Sequence, residues 1–356
     1  MKPAKTRRYT EVVPFFGAIE QIEQLSDHVR LAGSPRIRCR EVGAADLDAV
    51  ADLLATGFPG HSRDFWALAL ARLSRHPTPS GYPKYGYLLE YEGRPVGIIL
   101  LIFSCAEIDG EKSIRCYTSS WYVEADFRIY APLLAAHAAK DPNVTYINIT
   151  PARHTIAILE AQGYRKYSSG QVFSIPALST RSRGACVSLV TEDIRPDDDL
   201  SPAQVEMLLA HQRYGCISVI CRDGNRRYPF VFIPLPACSM ATIAGAIVSY
   251  LGDHLLRRDS TGNRPALLGL SIAYLVYCQD YENFVRYAGP LGRFLARRGM
   301  PFVVLDTDGP VNGLIGWYAD APKYFKGPNP PHLGDLAYSE WVILDLEPLY
   351  RGNSGR

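Results

Sequence analysis

A faint internal copy constrains this chain more than any other feature. Arg128-Ile129-Tyr130-Ala131-Pro132-Leu133 returns as Arg286-Tyr287-Ala288-Gly289-Pro290-Leu291, the pattern R-x-x-[A/G]-P-L, 158 positions later. The same offset carries Val144-Thr145-Tyr146-Ile147-Asn148-Ile149-Thr150 onto Phe302-Val303-Val304-Leu305-Asp306-Thr307-Asp308, and both stretches read as strands. Two matches at one offset, in the same order, argue for two copies of one α/β unit.

The length allows that division: 356 residues suit two domains of about 150 residues better than one core. A chain that is 47% hydrophobic and 21% charged has the composition of a soluble globular protein. The formal net charge of +2 gives no footprint for nucleic acid, and the basic opening (Lys2, Lys5, Arg7, Arg8) reads as a solvated tail. The eight cysteines are scattered, with no C-x-x-C pair and no Cys/His cluster at zinc spacing. They read as reduced thiols of a cytoplasmic protein without a metal site. No secretory signal is recognised. The longest apolar run, Met240 to Leu251, is too short to span a bilayer needing about 20 residues, and reads as a buried or interfacial helix.

Residues 1–35 read as an extension, 36–176 as the first unit, 177–184 as a polar linker, 185–347 as a divergent second unit and 348–356 as a tail. In the first unit, alternation predicts a strand over Ile37–Val42, and helical spacing predicts helices from Asp46 and through Phe65–Leu73. A hairpin follows, Tyr85–Glu90 and Val96–Phe103, turning at Glu92-Gly93. Strand Ile114–Val123, helix Pro132–Ala139, strand Val144–Thr150, helix Ile156–Gln162 and strand Gln171–Ile175 complete the unit. In the second, helix Pro202–His211 precedes a hairpin of Cys216–Cys221 and Tyr228–Ile233. An inserted apolar helix near 240–256, strand Leu267–Tyr277, helix Leu291–Arg297, strand Phe302–Asp308, helix Leu314–Tyr318 and strand Glu340–Leu346 follow. Pro322–Pro328 reads as an aromatic-basic loop placed to cover a cleft.

This order, a hairpin followed by a long strand, a phosphate-type turn and a helix, resembles the GNAT superfamily of acyl-CoA-dependent acyltransferases, including members with two such units in tandem. The resemblance is clear over 36–176 and weak over 185–347. It implies an α/β fold, a mixed α+β sheet of two GNAT-like units with the second divergent. It also implies that the turn after the fourth strand offers helix-terminal N–H groups to the pyrophosphate of coenzyme A. Here that turn is Arg128, Ile129, Tyr130 and Ala131. Pro132 suits the first helical turn. The family's two glycines are absent, so Arg128 either grips phosphate as a charged fork or is simply an exposed side chain.

By the same resemblance, Ser120, Trp121, Tyr122 and Val123 lie along the pantetheine arm where the fourth strand splays from the fifth, with a backbone amide there for the thioester oxygen. For Trp121 and Tyr122 a core role is the alternative. The family's acid tyrosine falls on Leu159 here, so His154 is the nearest titratable replacement, with a surface role as its alternative. Glu124 is a candidate base, and Ser120 completes the catalytic set. Asn148, Asp306 and Asp308 are candidate acceptor-binding residues. The two aspartates would project together or else hold a loop.

The implied activity is transfer of an acyl group from acyl-CoA (acetyl-CoA or longer) to an amine or hydroxyl of a small-molecule acceptor by direct attack. The first unit would hold the co-substrate. A non-catalytic GNAT-like scaffold is the alternative, as is a tRNA-dependent aminoacyl transferase of the Fem type, which the near-neutral charge disfavours. No metal, no nucleic-acid partner and no transmembrane segment are expected, in a monomer or homodimer.

Overall fold

The computed structural model describes residues 37–108, 111–179, 182, 184–235 and 271–346. The N-terminal extension, the apolar run 240–256 and the C-terminal tail lie outside them.

Strand β1 (Ile37–Glu41) pairs antiparallel with β2 (Gly86–Tyr91), after helices α1 (Leu47–Gly57) and α2 (Arg63–Arg75). Ser62 starts α2 by accepting from the N–H of Phe65 at 3.2 Å. The predicted turn joins β2 to β3 (Arg94–Ile108), with Glu92 and Gly93 both at positive φ. Strand β4 (Glu111–Val123) is antiparallel to β3 and parallel to β5 (Val144–Asn148). A 3-10 turn (Ala125–Tyr130) and α3 (Ala131–Ala138) connect β4 to β5, and α4 (Ile156–Ala161) leads to β6 (Arg165–Ser174).

The second half opens on β7 (Cys186–Leu189), which the sequence reading did not place. Then come α5 (Pro202–Arg213), β8 (Ile217–Asp223), β9 (Arg226–Leu235), β10 (Ile272–Cys278), α6 (Tyr281–Ala296), β11 (Phe302–Thr307), β12 (Gly316–Lys326) and α7 (Glu340–Ile343). A capping box of Ser201 and Gln204 begins α5. From this edge the pairing again runs antiparallel through β7, β8, β9 and β10, then parallel to β11.

The twelve strands of the described residues form one sheet, ordered β1-β2-β3-β4-β5-β12-β6-β11-β10-β9-β8-β7. The two last strands are interleaved at its middle: β12 lies between β5 and β6, and β6 lies between β12 and β11. One face carries a single core, with Leu54, Trp66, Tyr117, Phe173, Leu208, Tyr274 and Ile343 among its members. The other face carries two. One packs β2 to β5 under α3 and α4, and the other packs β8 to β11 under α6. Alternation along each strand divides the faces: Tyr117 joins the shared core and Cys116 the opposite one.

Four expectations for the second half are corrected. Leu314–Tyr318 is not a helix; β12 starts at Gly316, where a side chain would strike the Phe173 carbonyl, and Trp317 stacks on Phe173 at 5.1 Å. Pro322–Pro328 is largely the end of that central strand rather than a cover. Glu340–Leu346 begins as helix α7. Arg286–Leu291 is not a turn before a helix, because Asp280 caps α6 upstream by accepting from the N–H of Glu282. Pro290 therefore sits in the helix interior. Gly289 and Gly292 let α6 approach the backbone at Ser179 and Ala177, where an added Cβ would lie 2.3 and 2.2 Å away. The described start of the expected linker is thus packed against α6. Among the described residues no helix is long and apolar enough to cross a membrane.

Candidate active site

Pairing between β4 and β5 runs from Ile114–Val144 to Tyr117–Ile147 and then stops, although β4 continues to Val123. At the same point β4 bulges against β3. Ser119 faces Leu100 and Tyr122 faces Ile98, so Ser120 and Trp121 together oppose Ile99. Ser120 adopts φ +50, a left-handed conformation uncommon for a serine. Bulge and lost pairing together open a wedge between the two strands.

A cleft occupies that wedge, lined by Thr118, Ser119, Ser120 and Trp121 of β4, Asn148 and Thr150 at the end of β5, and Gln162 and Tyr164 after α4. Phe58, Ala135 and Ala152 close its sides. Tyr122 turns to the shared core, its ring resting on Gly57, where a Cβ would come within 2.4 Å.

The polar atoms here are unevenly satisfied. Asn148 donates to Thr118 Oγ1 at 3.2 Å and Gln162 donates to the Pro132 carbonyl at 3.0 Å. Their side-chain carbonyls, Asn148 Oδ1 and Gln162 Oε1, are buried without a partner, as is the indole N–H of Trp121. Unpaired buried polar atoms cost stability and are rare in folded proteins. Three lining one cleft describe a surface made for a ligand carrying both donors and acceptors. Tyr164 is 5% exposed, and burial pushes its phenol well above the ordinary range.

At the end of β4 the chain enters the 3-10 turn and α3. The expected cradle of helix-terminal N–H groups is not free here, because α3 continues the 3-10 turn: the Ala131 N–H donates to the Arg128 carbonyl and Pro132 has no N–H. Arg128 and Ile129 are exposed beside this junction, with Tyr130 and Ala131 half-buried. Val123 is buried and pairs with Gly97.

The remaining expected site residues are placed elsewhere. Glu124 does not present a free carboxylate, because Arg94 holds both its oxygens at 2.7 and 2.9 Å. His154 is exposed on the turn before α4, outside the lining, where Pro151, Ala152 and Thr155 face the cleft instead. Asp306 and Asp308 do not project together. Asp306 is sealed at 2% exposure against Lys323 and the Tyr274 hydroxyl, whereas Asp308 is exposed and accepts from the N–H of Ser169.

Among its described residues the second half has a matching bulge but no matching cleft. β10 bulges between Leu275 and Tyr277, and its pairing with β11 ends at Tyr274. The wedge there is filled by the segment before α7: the N–H of Leu336 donates to the Val276 carbonyl at 2.7 Å, and that of Cys278 to the Gly334 carbonyl at 2.8 Å. A Cβ on Gly334 would collide with the Cys278 sulfur.

One residue near the first cleft had no expected role. Glu340, at the start of α7, is 1% exposed, and its Oε1 accepts from Thr150 Oγ1 at 2.5 Å. Its only signal in the sequence is a lone acid before the apolar run Trp341-Val342-Ile343-Leu344.

No protein-family model and no curated protein sequence matches the chain. Solved structures do. A GCN5-related N-acetyltransferase from Anabaena variabilis superposes at TM-score 0.51 with 11% identity, covering 82% of this chain and 72% of that one. A GCN5-related N-acetyltransferase from Kribbella flavida gives TM-score 0.47 with 11% identity over 82% and 71%. At such identities the first likeness establishes the fold: this is a mixed α/β sheet of the GNAT acyltransferase type.

Proposed function

We propose that the protein is an acyltransferase that binds an acyl-CoA thioester in the β4/β5 wedge and passes the acyl group to an amine or hydroxyl of a small molecule by direct attack. The observation that carries this reading is the trio of unpaired polar atoms, Asn148 Oδ1, Gln162 Oε1 and Trp121 Nε1, around a cleft opened by the Ser120 bulge. A pantetheine arm is an extended chain with two amide groups. Its N–H groups match the two free carbonyls and its carbonyls match the free indole N–H. The bulge frees β4 backbone from its ladder beside the place where a thioester oxygen would gain charge, which favours attack. The exposed guanidinium of Arg128, beside the start of α3, suits the pyrophosphate as a charged fork.

Two GNAT-like units in tandem, 36–176 and 185–347, account for the pairing order that repeats from each sheet edge. In this reading only the first accepts the co-substrate. The equivalent wedge of the second is filled by Gly334 to Leu336, and its helix start already carries the Asp280 carboxylate.

The test is a thermal-shift and calorimetric titration with free CoA, acetyl-CoA and longer acyl-CoAs. Stabilisation common to all of them is the expected result, since a ligand bound only to the folded state stabilises by about 2.7 kcal/mol at a hundred times its Kd. Ala152→Trp, which fills the cleft from a side wall, removes that response in a protein that still melts cooperatively. A wild-type chain indifferent to every CoA species would overturn the assignment.

A further inference from the structure

The acyl-transfer reading leaves one group beside the cleft without a task. Glu340 comes from a segment far along the chain, yet its carboxyl reaches the end of β5 through the Thr150 hydroxyl. Thr150 is exposed to the cleft, and Ser119 Oγ lies 3.1 Å from Ser120 Oγ in the bulge. One hydroxyl-bridged route, through Thr150, therefore leads from the open cleft to a sealed carboxyl. The second oxygen, Oε2, is buried without a partner. A glutamate kept only for packing or pairing would be expected to have both oxygens satisfied.

We propose that Glu340 accepts the proton of the attacking nucleophile, relayed through the Thr150 hydroxyl, so that the C-terminal segment completes the machinery of the first cleft. This rests on the acyl-transfer reading above. The nucleophile's lone pair forms the bond to the thioester carbonyl carbon, the C–S bond breaks, and the sulfur keeps its electron pair. For an acceptor that arrives as an ammonium ion, its extra proton first passes to Thr150 Oγ1 as the Thr150 proton passes to Glu340 Oε1, which frees the lone pair; the further proton shed by the nitrogen on forming the amide goes to solvent. The carboxyl then returns its proton by the same path to the departing thiolate, which leaves as CoA thiol. Glu340 is positioned to act through Thr150 and does not itself touch the acceptor.

The surroundings suit a proton acceptor. Burial pushes the Glu340 carboxyl above its ordinary range; the hydroxyls of Ser119 and Thr150, and the charge of Lys323 on β12, pull it partly back. A carboxylate of raised basicity is the better acceptor for a proton released near neutral pH.

The experiment measures CoA thiol release from acetyl-CoA with two nucleophiles, ethylamine, which is protonated at pH 7, and hydroxylamine, which is not. Glu340→Gln keeps the shape and the acceptor for Thr150 but cannot take a proton. It is expected to lower kcat/KM about 100-fold with ethylamine while leaving hydroxylamine turnover and the KM for acetyl-CoA within about threefold. Thr150→Val should show the same selectivity, and the double variant should be no worse than either single one. Equal loss with both nucleophiles overturns the relay in favour of a structural role, and undiminished ethylamine turnover removes Glu340 from the reaction. Wild-type protein that neither binds acetyl-CoA nor releases thiol refutes the parent assignment instead.

Discussion

Lys323 and Asp306 form an ion pair across an intervening strand. Lys323 is on β12, Asp306 on β11, and β6 runs between them, yet Nζ and Oδ1 are 2.6 Å apart with both side chains at most 2% exposed. Tyr274 donates to the same carboxylate oxygen at 2.6 Å, and Lys323 lies over the Trp341 ring. The pair ties the middle of the sheet where the two last strands interleave. Lys323→Met leaves Asp306 buried and uncompensated, so it should cost about 3–5 kcal/mol in urea unfolding. Adding Asp306→Asn, which keeps an acceptor for Tyr274, should restore much of that loss. A single variant as stable as wild type would show that the pair contributes little.

Two buried histidines set the acid limit of the fold. His76 bonds the Phe103 carbonyl and the Tyr214 hydroxyl, and His211 bonds the Met207 carbonyl and accepts from the N–H of Tyr338. Burial, aided by Lys84 for His76 and opposed by its Phe103 bond, lowers each ring from 6.5 to about 4. Both are therefore neutral in the folded state, while the unfolded state takes up protons more readily. Their stabilisation is complete above pH 6.5 and is lost as pH falls toward 4, by about 3 kcal/mol for each ring. Denaturation midpoints should fall across that window. In His211→Gln the fall should be about half as steep.

Gly57 and Tyr122 couple the end of α1 to the strand beside the bulge. Gly57→Ala brings a methyl into the Tyr122 ring, an overpacking expected to cost about 1–3 kcal/mol. Because Tyr122 follows Ser120 and Trp121, the same change should weaken acetyl-CoA binding. Calorimetry giving an unaltered Kd would show that Tyr122 does not shape the cleft.

Binding should saturate at one CoA per chain, since Gly334 to Leu336 occupy the second wedge. Arg128→Ala should raise the Kd roughly tenfold, the loss of a charge-assisted contact of about 1.5 kcal/mol, and flatten its salt dependence. A stoichiometry of two, or an Arg128 variant that binds as wild type does, would contradict this account of the two halves.

The first half was legible because its signals are local. Glu92-Gly93 marks a hairpin, helical spacing marks Phe65–Leu73, and the unbroken apolar run from Val96 to Phe103 marks a strand buried on both faces. The splay of β4 followed from the family pattern and is present at Ser120. The second half obscured its elements. Tyr318 to Phe325 mixes polar and aromatic residues because β12 itself supplies one half of a buried ion pair, so Lys323 reads as a surface lysine. Pro290 resembles a helix start because no local signal reports the close approach of Ser179 and Ala177. Glu340 and Thr150 are 190 residues apart, and nothing short of the assembled sheet brings them together.

The interleaving of β12 between β5 and β6 has a consequence for biosynthesis. During translation β5 and β6 emerge long before β12, the strand that pairs with both, so the first half cannot complete its own sheet until the second half has been made. On the acyl-transfer reading, the first half expressed by itself would lack both the β12 partner of β5 and β6 and the Glu340 carboxyl, and should be inactive although every residue lining the cleft is its own.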